Sequence, residues 1–245
     1  PHKIHKLAAN IVNRISKRIN KNWLPSKREG EIKWYDSFDQ IDLKGGKWLV
    51  LSRTNYQLND IEKVLFEDGM YFKNRNKRNY ESDLYQAITD YENLKKGQPL
   101  PYKSIEKIYS YMTSAHNNKK SLTGMTKESF YTMDQLQKEY GLKTDKVWYE
   151  AFDDAPYKRV EYIRSMKTHG EKLNQDPRIN LSTIHGAKGG ECDNVVLLTD
   201  LTENTLKGYE SNPDDEERLF YVGATRTKET LHIIRPKDNY KGYRI

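Results

Sequence analysis

The stretch LSTIHGAKGGECDNVVLLTD, residues 181–200, sets two short apolar runs on either side of a loop that carries His185, Lys188, Glu191 and three glycines. Each run is bounded by turn residues, the pattern of a buried strand. A connection that only turns the chain needs a residue or two of Gly, Asn or Asp, so this loop holds more chemistry than turning requires. Glycines at 186, 189 and 190 let the backbone approach a ligand or adopt positive φ, and Lys188 supplies a point charge among them. Glu191 can accept from a sugar hydroxyl or a neighbouring basic group. His185 either donates to a nucleic-acid phosphate or is a satisfied polar residue with no further role.

Outward from this stretch, KWLVLSR at 47–53, residues 194–198 and residues 229–234 also read as strands, with helical patterns at 60–66 and 214–227 between them. Strands alternating with helices imply a parallel α/β sheet. Ligands of such sheets lie beyond the carboxyl ends of the strands. Three loaded segments are expected there: Ser52 to Asn55, His185 to Glu191, and EERLFYVGATRTK at 216–228. Arg53 and Arg226, converging with a glycine loop on one edge, would make a polyphosphate site.

Composition narrows the class of protein. A formal net charge of +7 over 245 residues favours a polyanionic partner, because clustered Lys and Arg release counterions from phosphates. Cys192 is the only cysteine, which excludes an internal disulfide framework and a Cys-cluster zinc site; no metal site is expected in this chain. No apolar run approaches the ~18 residues of a membrane span and no signal-peptide pattern opens the chain, so a cytoplasmic protein with no membrane partner is expected. The chain starts at Pro1 without a leader and reads as an excised piece that something precedes. The Lys, Asn and Tyr bias points to a phage or an AT-rich bacterial source.

The opening IHKLAANIVNRISKRI places Ile4, Leu7, Ala8, Ile11, Ile15 and Ile19 on one helical face. Residues 81–95 form a further helical pattern, closed by the breaker cluster GQPLP at 97–101. Beyond it, strand-like runs vanish and helical patterns appear at 104–112, 127–140 and 157–166. The spacing therefore predicts α/β segments at 1–97 and 174–245, separated by a small mainly helical insertion at 98–173.

LSTIHGAKGGE followed by EERLFYVGATRTK resembles motifs V and VI of the UvrD/Rep/PcrA-type superfamily 1 DNA helicases, and VLSRTNYQL resembles their motif IV. PHKIHKLAANIV is similar to the segment before motif IV, and IEKVLFEDGMYF to the helix and strand after it. The resemblance implies a second RecA-like (P-loop NTPase-like) domain, with a separate subdomain inserted between motifs IV and V. By motif match, Arg53 and Arg226 would contact the γ-phosphate of ATP and its transition state, Glu191 the ribose, and Thr183, His185 and Lys188 single-stranded DNA. Ser52 stands where relatives often carry Tyr. Gly186 and Gly190 replace a small polar and a bulky apolar residue.

No G-x-x-x-x-G-K-[ST] occurs in the sequence, and no apolar strand ends in Asp-Glu. The resemblance thus implies that the phosphate cradle and the Mg²⁺ ligands belong to a first RecA-like domain outside this chain, and that the chain alone hydrolyses no ATP. The implied whole is a monomeric 3′ to 5′ helicase acting on single strands and duplex junctions. An RNA-directed or nuclease-fused relative, and a non-catalytic nucleic-acid adaptor that keeps the fold, remain as alternatives.

Overall fold

The computed structural model describes residues 1–19, 24–75, 77–78, 82–173, 175–187 and 190–245. In chain order the elements are α1 (His2–Asn13), β1 (Glu31–Tyr35), β2 (Trp48–Ser52), α2 (Asn55–Glu67), β3 (Phe72–Asn74), β4 (Lys77–Arg78), α3 (Ser82–Lys95), β5 (Leu100–Pro101), α4 (Tyr102–Ser110), β6 (Phe130–Tyr131), α5 (Met133–Lys138), α6 (Trp148–Ala151), α7 (Tyr157–Thr168), β7 (Ile179–Thr183), β8 (Cys192–Leu198), α8 (Glu203–Ser211), α9 (Pro213–Ala224) and β9 (Thr227–Ile234). They form two compact units, Pro1–Asn79 with Lys172–Ile245, and Tyr80–Glu171.

The first unit is built on a seven-stranded sheet of order β1-β9-β8-β2-β7-β3-β4. Every pairing is parallel except that of β3 with β4 at the edge. Alternation along the central strands splits the core into two layers. Leu49 and Leu51 of β2 and Val195 and Leu197 of β8 pack with Ile4 and Ile11 of α1 and Leu219 and Phe220 of α9. Trp48, Val50, Val196 and Leu198 point the other way, onto Leu58, Ile61 and Leu65 of α2. All five residues of β2 are buried, as a strand covered on both faces requires.

α2 starts earlier than the apolar spacing alone predicts. Thr54 and Gln57 form a reciprocal capping box at its N-terminus, satisfying orphan amides at Asn55's end of the helix. Gly69, at φ +63, follows its end, and the Met70 amide reaches back to the Leu65 carbonyl at 2.8 Å. α1 by contrast stops at Asn13, short of the expected stripe. Ile15 is buried beyond the helix, while Ile19 is 82% exposed. The helix ends because the Asp214 carboxylate captures the Ser16 amide (2.8 Å), the Ser16 hydroxyl (2.8 Å) and the Lys17 amide (3.0 Å). Edge strand β1, with mostly exposed side chains, gave no apolar signal in the sequence.

The second unit is mainly helical. In α3, Leu84, Ala87, Ile88, Tyr91 and Leu94 are fully buried at helical spacing, and α3 packs on α4 and α6. That packing puts Ser82–Lys95 in the second unit, whereas the breaker-based boundary set it with the first. The helix expected over 127–140 is shortened to α5, because Phe130 and Tyr131 pair as strand β6 with β5. Among the described residues no helix is long and apolar enough to cross a membrane.

Candidate functional site

Strand register fixes where each candidate residue lies. Ser52 is level with Thr183 on β7, and Leu51 with Leu197 on β8. Arg53 therefore leaves the sheet at its carboxyl edge beside the start of the loop after β7, and the Ile184 amide donates to the Ser52 carbonyl at 2.9 Å. Cys192 opens β8 opposite Thr227 of β9. It lies six residues before Leu198 on a strand that rises about 3.3 Å per residue, hence roughly 20 Å down the sheet from Ser52. Glu191 and Arg226, which immediately precede Cys192 and Thr227, sit at the amino edge.

The three loaded segments thus do not converge on one edge. The physical reason is connectivity: α9 returns the chain between parallel strands, so its N-terminus lies at the carboxyl edge and its C-terminus at the amino edge. The structure brings Arg53 together with Thr183, and Arg226 together with Gly190 and Glu191. By strand register the backbones of Arg53 and Arg226 stand at opposite edges of the sheet.

At the carboxyl edge the Arg53 guanidinium is gripped by Glu216. Its Nε donates to Glu216 Oε1 and Oε2, each at 2.9 Å, and its Nη2 to Oε1 at 2.8 Å. Glu216 is only 5% exposed. Asn55 and Arg75 stand at the same edge, Arg75 Nε donating to Asn55 Oδ1 at 2.8 Å. Thr183 Oγ1 accepts from the Gly186 amide at 3.1 Å. A Cβ at Gly186 would come within 2.8 Å of Ser182 Oγ, so a side chain here requires the Ser182 hydroxyl to shift. His185 is exposed, and Ser52 is buried with its hydroxyl donating to the Thr54 carbonyl at 2.6 Å. Lys188, expected to contact DNA, lies outside the described residues.

At the amino edge Arg226 is held differently. Its Nε donates to the Val222 carbonyl at 3.1 Å and its Nη1 to the Gly190 carbonyl at 3.5 Å, and its own carbonyl accepts from the Cys192 amide at 2.9 Å. No carboxylate pairs with it among the ion pairs of the described residues. Glu191 is exposed and faces Lys228 at 3.8 Å, an open pair of small energetic weight. A guanidinium without a counter-ion beside an accessible carboxylate is a donor set that suits phosphoryl oxygens and a ribose hydroxyl. Among the described residues no group of three or more His, Cys, Asp or Glu is arranged to hold a metal ion.

The acidic N-terminal turn of α9 completes the picture, and the sequence reading missed its role. Buried Glu217 accepts from Arg14 Nε (2.9 Å), from Tyr209 (3.2 Å) and from Tyr243. Burial, then the bond to Glu217, pushes the Tyr243 hydroxyl up in pKa. Hydrogen bonds from Ser16 and Lys17 hold Asp214 down to about 2. The visible signal was EE at 216–217 beginning a helix, where anions suit the dipole. The partners lie 163 and 203 residues away.

An α/β unit with motif-bearing loops, interrupted in sequence by a helical unit, is the organisation expected of a RecA-like domain of the helicase class. The chain belongs to the family of UvrD-like helicase C-terminal domains, whose model matches residues 74–238. The RecA-like α/β fold expected for that family is the fold observed. The chain is also similar to the ATP-dependent DNA helicase srs2 of Schizosaccharomyces pombe, 41% identical over 64 residues, which is 26% of this chain and 7% of that protein.

Proposed function

We propose that this chain is the C-terminal motor half of an ATP-dependent DNA helicase that translocates on single-stranded DNA and opens duplex junctions. In this reading the amino edge faces the nucleotide. Arg226 acts as the arginine finger on the γ-phosphoryl group and Glu191 accepts from the ribose. Thr183 and His185, at the other edge, meet the DNA backbone, as does Lys188. Arg53, assigned with Arg226 to the γ-phosphoryl group by motif match, is held at the carboxyl edge by Glu216. Mg²⁺ and the phosphate cradle would be supplied by a first RecA-like domain, with which this half closes on ATP in a monomeric, cytoplasmic enzyme.

One observation carries the reading. The described ends of the motif V segment lie at the two edges, the Ile184 amide bonded to Ser52 beside Arg53 and the Gly190 carbonyl accepting from Arg226. A shift at a phosphate-bound arginine would therefore pull on the loop that touches the strand. The test is Arg226→Ala in the intact protein, assayed for ATP hydrolysis with saturating single-stranded DNA. A finger of this kind contributes roughly a thousandfold or more in rate, because a guanidinium neutralises charge spread over the transferring group. Turnover near the wild-type rate would overturn the assignment.

A further inference from the structure

At the carboxyl ends of β8, β9 and β1, on the far side of β2 from the end of β7, lies a cleft of about 480 Å³. That is within the roughly 300–1,000 Å³ of sites that seat a compact ligand or an anchoring side chain. Its floor is apolar. Leu198 and Ile234 end their strands there, and Phe38, Ile61 and Val64 pack with them from the segment after β1 and from α2. The walls are tied from within: Gln57 Nε2 donates to the Asp200 carbonyl at 2.6 Å, and Thr202 Oγ1 caps α8 by accepting from the Thr205 amide at 3.3 Å. The cleft is therefore preformed.

The rim is opposite in sign to the chain as a whole. Asp36, Asp39, Asp60, Asp200 and Glu203 stand against Lys237 and Lys241, in a chain of net charge +7. Both lysines already face carboxylates of the rim, Asp60 at 4.0 Å and Glu203 at 3.6 Å, and Arg235 takes Asp36 at 2.9 Å. Asp39 and Asp200 take no cation among the ion pairs of the described residues, Asp200 Oδ1 accepting instead from the Lys237 amide at 2.9 Å. Beside them Tyr56 is 76% exposed. Such a rim repels a phosphate backbone and attracts cations.

We propose that this cleft docks a short basic segment of a partner protein: one bulky apolar side chain, Leu or Phe, enters over Leu198 and Ile234, while flanking Lys or Arg side chains meet Asp39, Asp60 and Asp200 and the face of Tyr56. The inference goes beyond the nucleotide and strand reading and uses none of its residues. Exposed ion pairs contribute little each, so the buried anchor supplies most of the affinity. The rim selects the sign of the partner and speeds encounter. An aromatic face beside the carboxylates adds a cation–π contact for an arriving Lys or Arg.

The experiment follows fluorescence anisotropy of a labelled peptide, a Phe flanked on each side by lysines, titrated with the intact protein. Wild type should bind it saturably, and more weakly as salt rises. The same peptide with Ser in place of Phe should bind about tenfold more weakly, and one with Glu in place of the lysines should not bind. Asp39→Lys combined with Asp60→Lys should weaken binding about tenfold at low salt without reducing ATP hydrolysis or single-strand binding. Both positions are exposed, so this variant should fold. Val64→Glu, which sets a charge on the floor, should weaken binding as much, and the charge reversals keep the test independent of whether it folds. Absence of saturable binding by wild type would overturn the proposal. Equal binding of the Ser or the Glu peptide would overturn it as well, the first by removing the anchor and the second by removing the rim. Self-association in sedimentation velocity that Val64→Glu abolishes would assign the cleft to a second copy of the chain, and the proposal would fall with that result too.

Discussion

The two ends of α9 solve opposite problems with the same kinds of residue. At its N-terminus Asp214, Glu216 and Glu217 each take a specific partner from a distant part of the chain: Ser16 and Lys17, Arg53, and Arg14 with Tyr243. At its C-terminus the partners of Arg226 among the described residues are carbonyl oxygens, one at 3.1 Å and one at 3.5 Å. Saturated charge ties α1, β2 and the end of the chain to one helix. A charge left with weak partners is available to something that arrives later. Stability and function should therefore separate along 12 residues of helix.

The largest effect is expected at the saturated end. Glu217→Ala removes a carboxylate 3% exposed that Arg14, Tyr209 and Tyr243 share as an acceptor, leaving Arg14 with the Arg244 carbonyl and the Tyr243 hydroxyl. Arg14 is 40% exposed at its side chain, so water recovers part of the loss, and unfolding stability should fall by about 2–4 kcal/mol in urea titrations. A change below about 1 kcal/mol would mean that the network is ornamental. Next comes the last turn of the helix. A Cβ on Gly223 would lie 3.0 Å from Leu197 Cδ1 and 3.4 Å from Ile184 Cγ2. Overpacking there costs roughly 1–3 kcal/mol, and the better helix propensity of Ala returns up to about 1 kcal/mol, so Gly223→Ala should destabilise by about 1 kcal/mol net. A stabilised variant would show that α9 can move off the sheet freely.

Asp214 offers a test by pH. Its folded pKa is lowered from 3.8 to about 2 by the Ser16 and Lys17 amides, so its contribution is present above pH 4 and is lost as pH falls from about 4 to about 2. Melting temperature followed across that window should lose part of its slope in Asp214→Asn; identical acid limbs would contradict the tether. The smallest stability change belongs to Arg226→Ala, within about 0.5 kcal/mol by the same melts, as expected of a cation near a helix C-terminus with no carboxylate partner. A drop like that of Glu217→Ala would erase the contrast between the ends.

Much of the sheet was legible because apolar runs such as WLVLS and NVVLL are local facts. Glycine punctuation at Gly69 was legible for the same reason. β1 was not, since EIKWY is an edge strand with little to bury. The start of α2 was written in Thr54 and Gln57, a local signal that the apolar spacing overlooked. The candidate residues themselves were visible as a loaded loop and two arginines. Their division between two edges was not, because it depends on register: Leu51 with Leu197 and Cys192 with Thr227. Glu216 was in plain view, yet nothing within a few residues of it announces Arg53.

The sheet also sets an order of events during synthesis. β1, at 31–35, is completed only by β9, at 227–234, and the second unit lies between the two halves of the first. A ribosome adding 5–20 residues per second needs roughly 10–40 s to pass from one strand to its partner. Throughout that interval the segment Tyr80–Glu171 emerges and can condense through its own local contacts, while β2, whose neighbours β7 and β8 both come later, waits unpaired. An unpaired strand edge of this kind stays open to non-native pairing until β7 and β8 have been made.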